Sequence, residues 1–116
     1  MEDIVTISLT RAGALEELCG GDPAVVRQLV NVFLRTFADD LASLENAVGA
    51  GQRSTAAAFS HRMAGSALAV GAEGTAQRLK SFSGLMAEPG AHIDHAMWQA
   101  LRQELARVLQ EVSTFG

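Results

Sequence analysis

The stretch Phe59-Ser60-His61-Arg62-Met63-Ala64-Gly65-Ser66-Ala67-Leu68-Ala69-Val70-Gly71-Ala72 decides how this chain reads. At about 100° per residue, Ala56, Phe59, Met63, Ser66 and Val70 fall in one apolar stripe roughly 80° wide, which predicts a helix. His61 then lies about 180° from the middle of that stripe and faces water. Around it on the outer face come Ala57, Ala58, Ala64, Gly65 and Leu68, none of them bulky and charged. Glycine in mid-helix costs about 1 kcal/mol relative to alanine. On an exposed face Gly65 leaves room beside the imidazole for an approaching group. A free imidazole titrates near about pH 6.5 and so offers a lone pair for attack at neutral pH.

Outward from this helix the chain reads as helices throughout. Ser8 or Thr10 can cap a short first helix carrying Ala14, Leu15 and Leu18, closed by Cys19-Gly20-Gly21. Met1 to Thr6 is left as an arm. Asp22-Pro23 then pairs an N-cap acceptor with proline at the first helical position, a strong start signal. In the long helix that follows, Val26, Val30, Phe33, Phe37, Leu41, Leu44 and Val48 step by three and four. They make one apolar face, with Arg27, Asn31, Arg35 and Asp39 on the solvated side. Gly49-Ala50-Gly51 stops it. The helix carrying His61 starts near Ser54 or Thr55 and ends at Gly71. A fourth begins at Gly74 or Thr75 with Leu79, Phe82, Leu85 and Met86 inward and Gln77 and Lys80 outward. Asp94 caps a fifth, whose inner stripe is Met97, Leu101, Leu105, Val108, Val112 and Phe115, with Trp98 sealing an edge. Glu104 with Arg107 and Arg107 with Glu111 are placed to pair along its outside.

Amphipathic helices joined by short connections run antiparallel to their neighbours. The expected architecture is therefore all-α: an up-down-up-down four-helix bundle over residues 23–115 with a short additional N-terminal helix over 7–19, in a single domain spanning 1–116. A chain of 116 residues, 48% apolar and 19% charged, can bury a core, roughly two-thirds of its unfolded surface. A net charge of −4 with no basic run gives no footprint for nucleic acid or anionic lipid. No apolar run approaches the roughly 20 residues that span a bilayer, and no secretory signal pattern opens the chain. One cysteine, Cys19, makes no internal disulfide. Together these permit a reducing compartment, and the expectation is a cytoplasmic domain.

The familiar chemistries find no residues. There is no inward Glu-x-x-His pair for a bundle metal site, and His92 and His95 straddle a helix start and read as surface histidines. Nucleophile-elbow, Walker and dinucleotide loops are absent. What stands out is His61-Arg62-Met63-Ala64-Gly65-Ser66-Ala67 followed by Val70-Gly71-Ala72. This run resembles the acceptor helix of histidine-containing phosphotransfer (HPt) domains, whose pattern is His-x-Leu-Lys-Gly-Ser/Ala and then Leu-Gly-Ala. Gly20-Gly21-Asp22-Pro23 opening a long helix with paired phenylalanines, and Leu79 and Phe82 in the fourth helix, extend the resemblance over essentially the whole chain.

The resemblance implies a phosphorelay intermediate with His61 as phosphoacceptor and Arg62, Ala64, Gly65 and Leu68 as the surrounding phosphate and partner surface. It implies a response-regulator receiver domain or a sensor histidine kinase as partner. Any Mg²⁺ is then the receiver's, and the domain is a carrier with no ATP site, metal or cofactor of its own. The alternative is a phosphorylation-deficient interaction module of the same fold, binding a receiver or kinase. One position departs from the pattern: the family's lysine, a turn beyond the histidine, is Ala64 here. The expectation is that Arg62, about 100° round the helix, swings its long stem toward the phosphate in compensation.

Overall fold

The computed structural model describes residues 8–115, so the N-terminal arm and the first position expected of the short helix lie outside the described residues. The five helices are α1 (Ala14–Cys19), α2 (Pro23–Gly49), α3 (Arg53–Ala69), α4 (Glu73–Ala87) and α5 (His95–Val112). α2 packs on α3, α3 on α4, α4 on α5, and α5 returns to α2, closing the bundle. α1 lies against α2 and α3. Two helix starts are built as their residues dictate. Asp22 accepts the Ala24 amide at 3.0 Å with Pro23 behind it, and Asp94 accepts the Ala96 amide at 2.9 Å. Each supplies one acceptor for the unpaired donors of a first turn.

The α2 stripe is buried from Val26 through Leu44, with Phe33 and Phe37 stacked at 4.8 Å between ring centroids. In α5, by contrast, the edge and the core exchange residues. Trp98 is buried while Met97 is 37% exposed. Either residue continues the step to Leu101, and the choice falls to the larger ring, which stacks on Phe82 at 5.4 Å. α5 ends at Val112, so Phe115 packs against the core from beyond the helix.

α3 is turned by about 50° from the expected stripe. Ala56, Ser60, Met63, Ala64, Ala67 and Val70 are buried, whereas Phe59 and Ser66 are half-buried. The reason is steric. α3 lies between two helices, and small residues on its α4 flank let the backbones approach, so Ser60, Ala64 and Ala67 take the inside and the bulkier Phe59 the margin. The cost is a buried Ser60 hydroxyl with no hydrogen-bond partner among the described residues. Across the contact Ser83 donates its hydroxyl to the Ala57 carbonyl at 2.8 Å, pinning the α3–α4 register.

Neither Ser8 nor Thr10 caps α1, which starts after Gly13 with no side-chain cap. Thr10 is instead spent on Glu111 of α5. That carboxylate accepts the Thr10 hydroxyl at 2.7 Å and the Thr10 and Leu9 amides at 2.9 and 3.0 Å. The Arg11 amide donates to the Val70 carbonyl at 3.0 Å, directly beside Gly71. Gly71 has φ +75°, and a Cβ there would come within 2.5 Å of Arg11 Cβ, so both the helix end and the strap across it require glycine. Arg107 acts on both Glu104 and Glu111 along the outside of α5, and Glu104 has partners on α4 as well. Arg107 meets Glu111 at 3.3 Å. Glu104 turns to α4, where it accepts from the Thr75 hydroxyl at 2.5 Å and from Arg78 at 2.6 Å.

Burial pushes the Glu111 carboxyl up, but the hydrogen bonds from Thr10 and Leu9, with Arg107 nearby, outweigh it and hold the group below its ordinary 4.5. A depressed carboxyl contributes stability that is complete above the unfolded value and lost as pH falls through the folded one. Glu111→Gln should therefore cost about 1–2 kcal/mol at neutral pH and leave less to lose on acidification to about pH 3. Urea unfolding at the two pH values measures both; an unchanged acid dependence would show that Glu111 does not hold the strap.

Candidate functional site

Midway along α3, His61 is exposed on the arc it shares with Ser54, Ala58, Arg62, Gly65 and Leu68. Leu68 is 47% exposed. A Cβ built at Gly65 would meet nothing within 4 Å, so the fold itself makes no demand for glycine there. Space one turn beyond the imidazole is open to whatever approaches.

Two residues of the expected surface behave differently. Ala64 is 1% exposed and belongs to the core, because the turn of α3 toward α4 carries it inward. Arg62 is exposed, but its guanidinium is engaged. It donates to Asp40 of α2 from Nη2 at 2.6 Å and Nε at 3.2 Å, and stands over the Phe59 ring at 4.8 Å. The paired hydrogen bond, and then the charge, of Asp40 raise the Arg62 pKa further above its ordinary value. Such a forked arginine–carboxylate pair has a fixed geometry. It ties α3 to α2 on the flank away from α4 and draws the arginine off the histidine's side. Asp40 is the residue the periodicity missed. It is 3% exposed on the shoulder of the α2 stripe, next to Leu41, where a lone acidic residue reads as solvated unless its partner on another helix is known.

Nothing else in the described residues gathers chemistry. No three His, Cys, Asp or Glu side chains converge there as a metal site would need. His92 precedes α5, and His95 opens it beside Gln99. A groove of about 810 Å³ lies between the N-terminal strap and the end of α5, lined by Thr10, Glu16, Arg107, Glu111 and Phe115 among others and by no residue of α3. No helix among the described residues is long and apolar enough to cross a membrane.

The exposed imidazole on the third helix of an antiparallel bundle coincides with a family match: the model of the Hpt domain covers residues 28–111, from within α2 nearly to the end of α5. The chain belongs to the Hpt domain family. No curated relative and no solved structure matches the chain. Hpt domains are the histidine phosphotransfer modules of two-component phosphorelays, phosphocarriers that interact with receiver domains and kinases. The four-helix bundle and the short helix before it are those of an Hpt domain.

The open ground at Gly65 separates folding from docking. Gly65→Ala removes a helix-weakening residue without a clash, and should raise the stability of this Hpt domain by about 0.5–1 kcal/mol in denaturant unfolding. Loss of stability instead would show that the position is packed.

Proposed function

We propose that this Hpt domain accepts a phosphoryl group on Nε2 of His61 from the aspartyl phosphate of a receiver domain, or from a kinase, and passes it to a response-regulator receiver. The observation that carries the reading is the exposure of His61 beside the open space at Gly65, inside the matched span. In the accepting step the Nε2 lone pair forms the P–N bond as the P–O bond to the aspartate breaks, and the electron pair leaves on the carboxylate. The proton on Nδ1 stays in place. Little covalent chemistry is asked of the bundle; it positions the ring and leaves the approach open. The divalent ion of the reaction is assigned to the receiver. A single cysteine without a disulfide partner, Cys19, suits a cytoplasmic setting for the relay.

Incubation with phosphorylated receiver domains should place an acid-labile, alkali-stable label on the wild-type chain and none on the His61→Gln variant. Label that persists in His61→Gln would dismiss the site. Complex formation without transfer to the wild type would favour the interaction-module alternative, for which the replacement of the family's lysine by Ala64 is the specific observation.

A further inference from the structure

A phosphoryl group on histidine carries nearly two negative charges. With Ala64 in the family's lysine position and buried, the neutralising cation must come from elsewhere. Most of the chain's cations are committed. Arg11, Arg62, Arg78, Arg102 and Arg107 pair with Glu17, Asp40, Glu104, Glu45 and Glu111. Arg53 donates to the carbonyls of Leu85, Met86 and Glu88 at the end of α4. Among the described residues this leaves Arg27, Arg35 and Lys80 without an ion pair.

The helix registers decide among the three. Asp40 meets Arg62 across the antiparallel α2–α3 pair. At 1.5 Å per residue, Arg35 therefore lies about 9 Å along the axis from the level of His61, and Arg27 about 21 Å, both on the far flank of α3. On the other side the Ser83–Ala57 hydrogen bond fixes α4 against α3. Four residues on from Ala57 is His61; three residues back from Ser83 is Lys80. The two are thus level to within about 1.5 Å. Relative to that contact line His61 is turned outward by about 40° and Lys80 by about 60°, onto the same exposed side of the α3–α4 seam. Both are exposed.

We propose that Lys80 supplies the phosphate-binding charge of this site, its ammonium reaching across the seam from α4 to the phosphoryl oxygens on His61. The proposal rests on His61 as acceptor. The flexible four-carbon stem of lysine spans the gap between adjacent helices and carries its charge as a mobile donor. In effect the cation that the family pattern places on α3 is moved to the neighbouring helix.

The test uses the full chain and phosphoramidate, a small donor whose P–N bond breaks with loss of ammonia, alongside a phosphorylated receiver. Lys80→Met should slow labelling by about five- to tenfold with both donors, the effect of one cation about 6 Å from a doubly charged group in water. Lys80→Arg should restore most of the rate. Arg27→Met serves as the remote control and should change nothing, and all three variants should unfold at the wild-type midpoint. Wild-type rates in Lys80→Met, failure of arginine to rescue, or a defect seen only with the receiver would each overturn the proposal. Absence of label on the wild type with either donor would overturn the acceptor reading and this proposal with it.

Discussion

The close approach of α3 to α4 is the constraint from which the site follows. Ser60, Ala64 and Ala67 are small enough to let the two backbones meet, and the Ser83–Ala57 hydrogen bond sets their register. Once that seam is closed, the rotation of α3 is fixed. Phe59 goes to the α2 margin, Ala64 goes inside, and His61 is left facing outward beside Gly65. A bulkier residue on that flank would turn the helix back toward its most hydrophobic stripe and move the imidazole with it. Packing of residues with no part in the proposed transfer thus aims the imidazole proposed to accept the phosphoryl group.

On the opposite flank the structure resolves a question of charge. Asp40 is buried, and a buried carboxylate is costly unless paired. Arg62 meets that need with two hydrogen bonds. An arginine adjacent in sequence to the histidine is therefore a brace between α2 and α3. Its charge is shared with Asp40, which weakens its field at any phosphate nearby. The same economy runs through the molecule, where Glu104 and Glu111 each draw in a hydroxyl as well as a guanidinium and fasten α5 to α4 and to the N-terminal strap.

Much of this was legible in the residues. Five helices, their antiparallel order, the caps at Asp22 and Asp94 and the α2 core follow from period, caps and breakers, all of which are local signals. The exposure of His61 survives even a rotation of some 50°, because a residue opposite the apolar stripe has margin on both sides. Ala64 had no such margin and went into the core. The choice of Trp98 over Met97 depended on Phe82, a residue of another helix. Likewise the pairing of Thr10 with Glu111 and of Arg62 with Asp40 joins positions far apart in the chain, and no periodicity reports a partner across a bundle. Register between helices is the information the sequence withholds, and the surroundings of His61 are set by it.

The proposed transfer depends on one bond, between phosphorus and a ring nitrogen of His61. After phosphorylation of the wild-type chain in neutral buffer, ¹⁵N-labelled at histidine, phosphorus–nitrogen correlation NMR locates that bond directly. A single phosphorus signal coupled to Nε2 of His61 is the predicted result. Coupling to His92 or His95, or no phosphohistidine signal at all, would contradict it.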